Sequence, residues 1–252
     1  PACALLAVRR GMEEPEHFQA VKARREALRA QREHSNEEKE FLGFVPLQLF
    51  NRTNGFSTLI GVMFCLGTLL AIWTSQIWLP TIQGQMLTKS GVAAGAGQIK
   101  LIGYGMMLWS AGGIVGYASF GFLADKFGRR PTIVFFNVGT ILSGLFLYLG
   151  LDNWDWYPYV LPIFGYFVYG VFSGHAVYLP ELFPTHVRAS AVSFCNGSGR
   201  IITSFGPLVA GSLVGFFGGQ FSKGAALMTG FAVLSIVAMM IGRETREDEL
   251  PR

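Results

Sequence analysis

Gly121-Phe-Leu-Ala-Asp125-Lys-Phe-Gly128-Arg-Arg-Pro131 decides how this chain folds. It is a short basic island between two stretches without a charged residue, 101–123 and 132–151. Each flank has about the 20 residues an α-helix needs to cross a bilayer core. A connection this short makes the two crossings a hairpin, with the island at one membrane face. Lys126, Arg129 and Arg130 then orient it, because cytoplasmic loops carry the Lys/Arg excess.

The same count applied outward gives six charge-poor spans, roughly 54–79, 101–123, 132–151, 157–179, 189–217 and 224–242, with Arg200 the one charge inside any of them. Composition agrees: 51% of the 252 residues are hydrophobic and 14% charged, against about 25% charged in a soluble domain. The net charge of +4 is gathered in loops, which points to topology and excludes a nucleic-acid partner. Cys3, Cys65 and Cys195 are too scattered for a disulfide framework or a zinc site, so no metal or cofactor is expected. Residues 9–40 carry 8 Lys/Arg and 8 Asp/Glu, the pattern of a solvated helical linker. Residues 41–50 are too few to span and form a juxtamembrane lead-in. The expected architecture is all-α and polytopic. A cytoplasmic linker and juxtamembrane segment (1–52) precedes a six-transmembrane-helix bundle (53–243) and a cytoplasmic tail (244–252). Both ends lie on the cytoplasmic side of the plasma (inner) membrane.

Two short motifs carry charge at that side. In the island, Gly121 permits close helix approach, Gly128 a tight turn, and Pro131 the first position of a new helix. Asp125 can accept from a helix N-terminus or from an arginine. After the fourth span, Pro180 and Pro184 flank Glu181, which needs a partner at the membrane edge: Arg188, or Arg129 or Arg130 of the island. A loose surface pair contributes about 0–1 kcal/mol. A partly buried pair that forms in one conformation only can bias a two-state equilibrium.

These residues carry a family resemblance. The island is similar to the signature loop of the major facilitator superfamily, which recurs after the second and the eighth helix. Tyr178-Leu-Pro-Glu-Leu-Phe-Pro-Thr-His-Val-Arg188, followed by Ala-Ser-Ala-Val-Ser-Phe194, resembles the loop between helices ten and eleven of sugar-porter-like and metabolite (organic acid):proton symporter members. Arg243-Glu-Thr-Arg246 is similar to the short tail after the last helix, and Arg9-Arg-Gly-Met-Glu-Glu-Pro-Glu16 to the stretch after helix six. The resemblance implies the C-terminal half of a twelve-helix secondary transporter. It also implies a small-molecule substrate, protons as the coupling ion, and the N-terminal six-helix half as partner. Gly121, Asp125, Gly128, Arg129, Arg130, Glu181 and Arg188 are then its cytoplasmic gating motif.

Candidates for the substrate pathway come from polar residues at membrane depth. Arg200 sits mid-span, where an arginine costs roughly 2.5–3.5 kcal/mol on insertion scales. It therefore faces protein or water, unless the span starts late and it snorkels. Asn196, Gly197, Ser198 and Thr203 surround it with a small polar stripe. His175 is a proton relay or a satisfied packing residue. Trp73, Gln76 and Gln83 offer aromatic and amide groups in the first span. Gln76 and Gln83 share a face if the helix continues past Pro80. Gly112/Gly116, Gly170/Gly174 and Gly211/Gly215 are small-residue pairs that suit close helix packing. Two other readings remain open: an intramembrane serine hydrolase using Ser198 and His175, and a non-transporting channel or scaffold.

Overall fold

The computed structural model describes residues 45–245 and, before them, residues 19, 23 and 27. Most of the expected linker, the stretch 9–16 and the tail beyond 245 lie outside the described residues. Residues 1–49 and 50–252 form separate units. The first contributes a helical turn at Val45–Gln48. Everything else belongs to the second.

The described part of that second unit is helical, without strands. Its helices are α1 (Gly55–Lys89), α2 (Ala96–Phe127), α3 (Arg129–Leu149), α4 (Tyr157–Leu182), α5 (Thr185–Ser204), α6 (Gly206–Phe216), α7 (Phe221–Gly230) and α8 (Ala232–Ile241). Four of them are long and apolar enough to cross a membrane, as are α7 and α8 taken together over Phe221–Ile241. The remaining expected span, 189–217, is α5 and α6 joined at Phe205. Pro207 occupies the first turn of α6, where its missing N–H is tolerated but the backbone of the preceding turn is restricted. Arg200, Asn196 and the serines of α5 keep that piece too polar for the same criterion. Helix α1 runs through Pro80 without a break, far beyond the expected end at Leu79. Prolines are tolerated in spans because neighbouring groups satisfy the freed carbonyls.

Gly128 makes the hairpin. It is the single residue between α2 and α3 and has φ +102°, a left-handed conformation that side chains disfavour. Helix α2 packs most extensively on α4, α3 also lies against α4, and α1 is covered by α5, α7 and α8. Phe64, Trp109, Phe136, Tyr157, Phe164 and Tyr178 fill the centre and are almost fully buried.

The α2–α4 contact is a backbone contact. A side chain at Gly112 or Gly116 would run into the carbonyls of Pro162 and Tyr166, and one at Gly165 into the carbonyl of Trp109. Gly170 and Gly174 likewise face the rings of Phe136 and Phe120. Gly211 and Gly215, expected to do the same, meet nothing within 4 Å: α6 presents them to open space. Gly112→Leu is therefore expected to unfold much of the protein in detergent, since overpacking against backbone cannot relax; typical costs are about 1–3 kcal/mol or more. Gly211→Leu should leave the melting temperature unchanged. Fluorescence-detected gel filtration after heating compares the two.

Candidate functional site

At the end of the bundle where α2 turns into α3, three distant segments meet. Arg129 is their centre. Its Nη1 donates to Asp125 Oδ1 (2.6 Å) and to the Ala124 carbonyl (3.0 Å). Its Nη2 and Nε donate to Glu181 at 3.1 and 3.3 Å. The Arg129 and Glu181 side chains are 15% and 19% exposed, whereas Asp125 is 74% exposed. The Glu181 arm is thus the shielded, bidentate one, and the Asp125 arm is a surface pair worth about 0–1 kcal/mol. Of the partners expected for Glu181, the fold selects Arg129. Arg188 turns its Nε to the Phe183 carbonyl at 3.2 Å, because Pro184 starts α5 between them.

The chain after α8 closes the cluster. Thr245 donates its hydroxyl to Glu181 Oε2 at 2.5 Å. Glu244 Oε1 and Oε2 accept the backbone N–H groups of Arg129 and Arg130 at 2.8 and 3.1 Å. These are free N–H groups at the start of α3, so Glu244 is a carboxylate cap placed against the positive end of the helix dipole. Arg130 Nη2 donates to the Met240 carbonyl (2.9 Å), and Arg243 Nη2 to the carbonyls of Glu181 and Leu182 (3.2 Å each). Tyr178 donates to the Arg243 carbonyl at 2.9 Å. Arg243, Glu244 and Thr245 were legible only as a tail similar to other tails; nothing local in the sequence says that they reach back to α3. Glu244→Ala is expected to lower the stability of the protein by about 1 kcal/mol, the usual size of a lost cap, measurable as a downward shift in melting temperature. Arg243→Ala, which removes bonds to two carbonyls, should shift it as well.

The second group lies where α1, α4 and α5 meet. His175 is buried and bonded at both ring nitrogens: Nδ1 lies 2.9 Å from Asn196 Oδ1 and Nε2 lies 2.6 Å from Thr68 Oγ1. Asn196 Oδ1 accepts only, so Nδ1 carries a proton, while Nε2 meets the Thr68 hydroxyl, which also donates to the Phe64 carbonyl at 3.0 Å. The ring is also packed by Phe64 and Phe172 (centroids 4.7 and 4.5 Å). It pins α1, α4 and α5 together, and the satisfied packing alternative describes its surroundings. Ser198, its supposed catalytic partner, donates instead to the Phe194 carbonyl at 2.7 Å within its own helix. The serine-hydrolase pairing is not formed.

Arg200 lies one turn beyond Asn196. Its side chain is exposed and makes no hydrogen bond or ion pair among the described residues. From Arg188 to Arg200 is twelve residues of one helix, about 18 Å at 1.5 Å per residue. In α1, Gln76 is exposed and donates to Tyr169 Oη at 3.2 Å, and Trp73 is 44% exposed. Gln83 does not join them. It is fully buried, with Nε2 on the Met106 sulfur at 3.4 Å, because side-chain-free Gly105 lets α2 close over it. Tyr169 and Tyr117, which extend the exposed face, were missed. Their helices read simply as aromatic and apolar.

Comparison with known proteins agrees with this picture. The family model of the Major Facilitator Superfamily matches residues 64–252. A putative metabolite transport protein of Haemophilus influenzae is 32% identical over 65% of this chain and 37% of its own length. A cis,cis-muconate transport protein of Acinetobacter baylyi is 35% identical over 51% of this chain and 29% of its own. A putative niacin/nicotinamide transporter, NiaP, of Bacillus subtilis is 26% identical over 75% and 44%. The chain thus spans less than half the length of these relatives. A solved structure of a double-tryptophan XylE mutant shares the fold, with TM-score 0.53 and 19% identity over 77% of this chain and 46% of that one. The hairpin with its Arg129 cluster, the membrane-length helices and the family match over three quarters of the chain lead to one conclusion: this is an integral membrane protein of the Major Facilitator Superfamily, a family of transporters and not of enzymes.

Proposed function

We propose that the chain is the C-terminal half of a secondary active transporter. It carries a small organic metabolite, most simply an organic acid, by alternating access coupled to protons. Arg200 carries this reading. An arginine at mid-depth needs a counter-charge or water, and this one has neither a carboxylate nor any other partner among the described residues of its own chain. An anionic substrate supplies that charge in transit. The relatives named for muconate and for niacin make a carboxylate the natural choice over a hexose.

The missing half fits what the bundle leaves open. Helix α2 has 22% of its most apolar stretch buried, against 50% or more for the other spans. Its uncovered face, with Met107, Ile114 and Phe122 largely exposed, is where a second six-helix bundle packs. The substrate site then lies between the halves near the membrane midplane. No Asp or Glu stands deep in any span, so the proton carrier belongs to the other half. The Arg129 cluster is the inner latch, on the cytoplasmic side by the Lys/Arg distribution.

Uptake of radiolabelled benzoate into proteoliposomes by the complete transporter tests the function. The expected result is accumulation driven by an inward proton gradient and collapsed by a protonophore. Uptake indifferent to the gradient would remove proton coupling, and no protein-dependent flux of any carboxylate would remove the substrate class.

A further inference from the structure

We infer that the open face of α1, α2 and α4 is a stacking platform that selects flat, conjugated carboxylates over saturated ones and over polyols. The inference rests on Arg200 as the counter-charge of the bound anion.

Three aromatic rings build the platform. Tyr169 of α4 lies between Trp109 and Tyr117 of α2, with ring centroids 4.7 and 5.9 Å away and planes inclined by 48° and 41°. Trp109 is buried and backs the group, while Tyr117 is 42% exposed and offers its ring to the open side. Gly113 makes room for it: a Cβ there would stand 2.5 Å from the Tyr169 ring. The group is therefore set by backbone packing and is not a loose surface cluster.

Its polar edge is arranged to donate. Gln76 Nε2 donates to Tyr169 Oη at 3.2 Å. The phenol oxygen accepts there, so its own proton is left to donate to a carboxylate or carbonyl oxygen. Tyr117 makes no side-chain hydrogen bond among the described residues. Toward α5 the face continues through Trp73, which lines a small cavity with Thr203. Thr203 in turn donates to the Arg200 carbonyl at 3.0 Å. The order across the face is thus indole, amide, phenols, with Arg200 on the neighbouring helix one turn from Thr203.

What the face lacks decides the ligand. The acidic residues of α1, α2, α4 and α5 are Asp125 and Glu181, both in the Arg129 cluster. A polyol carries no charge and would leave the guanidinium without a counter-ion. A carboxylate attached to a flat π system offers a counter-charge for Arg200 and a ring face for Tyr169 and Tyr117. Offset or edge contacts between aromatic rings favour such a ligand about two- to tenfold over an aliphatic one of equal size.

The test is competition binding to the purified complete transporter with benzoate, cyclohexanecarboxylate and glucose. The first two share charge and ring size and differ in the π face. Benzoate is expected to bind about fivefold tighter than cyclohexanecarboxylate, with glucose not competing. Tyr169→Leu or Tyr117→Leu should bring the two carboxylates level. Tyr169→Phe keeps the ring and should keep the ratio while weakening both, which separates lost stacking from misfolding. Arg200→Ala should weaken both at least about tenfold without changing their ratio. Equal affinity of the two carboxylates, still dependent on Arg200, overturns the platform and leaves the counter-charge. A retained ratio without dependence on Arg200 overturns the counter-charge. Binding of none of the three, or of glucose alone, overturns both.

Discussion

Arg129→Ala in the complete transporter is expected to cut uptake about tenfold or more, with the protein still present in the membrane. The side chain joins α2, α3 and α4 through its bonds to the Ala124 carbonyl, Asp125 and Glu181. Hydrogen bonds to charged groups contribute about 1.5–3 kcal/mol each, and a shift of 1.4 kcal/mol between two conformations already changes their ratio about tenfold. Without Arg129, Glu181 keeps Thr245 as its side-chain partner and remains a shielded carboxylate at a membrane edge. If the cluster is the proposed inner latch, the closed inner side loses most and the transporter should rest inward-open. Arg129→Lys should not restore uptake, because a single ammonium cannot reproduce the fork that reaches Glu181 and Asp125 together. Glu181→Gln should follow Arg129→Ala. Asp125→Asn should change the melting temperature less than either, since its carboxylate is 74% exposed. Uptake paired with surface expression measures the set. Normal flux in both Arg129→Ala and Glu181→Gln would show that the cluster is structural.

The largest effect is expected at Arg200. Truncating one partner of a desolvated charge pair costs about 2–5 kcal/mol, so Arg200→Ala should lower kcat/KM for carboxylate uptake about a hundredfold, chiefly through KM. Arg200→Lys should recover part of it. Stability should move little, because the side chain makes no bond that its loss would break in this half. Initial uptake rates over a range of substrate concentration separate the KM and kcat effects.

Much of the fold was legible because membrane spans are long, apolar and free of charge. The α2–α3 hairpin and the α4 and α7–α8 spans follow from counting. Sequence counting misplaced the ends of α1 and α2, which run past Pro80 and past the charged Asp125 as uninterrupted helix. It also missed the division of α5 from α6 at Phe205, because a helix break at Gly-Pro needs no change in hydropathy. In the charged cluster, Asp125, Arg129 and Glu181 could be named as members since charge at a membrane edge demands a partner. Their pairing could not be read. Arg188 and Arg129 were equivalent candidates on the page, and only the turn at Pro184 removes the first. Glu244 and Thr245 were hidden for a different reason: a cap supplied from 115 residues away leaves no local pattern. Gln83 shows the converse. Its spacing from Gln76 placed it on one face, but burial depends on the neighbouring helix, and Gly105 brings α2 over it.

Where Arg200 points in the complete transporter decides whether it meets the substrate. The direct measurement places a cysteine there, Arg200→Cys, with Cys3, Cys65 and Cys195 replaced by serine, and follows its reaction with a membrane-impermeant, charged thiol reagent. The expected result is labelling from water, slowed by bound carboxylate and increased from the cytoplasmic side in Arg129→Ala. A position that ignores the charged reagent and yields only to a lipid-soluble maleimide would put Arg200 against lipid or sealed protein, and would contradict its contact with the substrate.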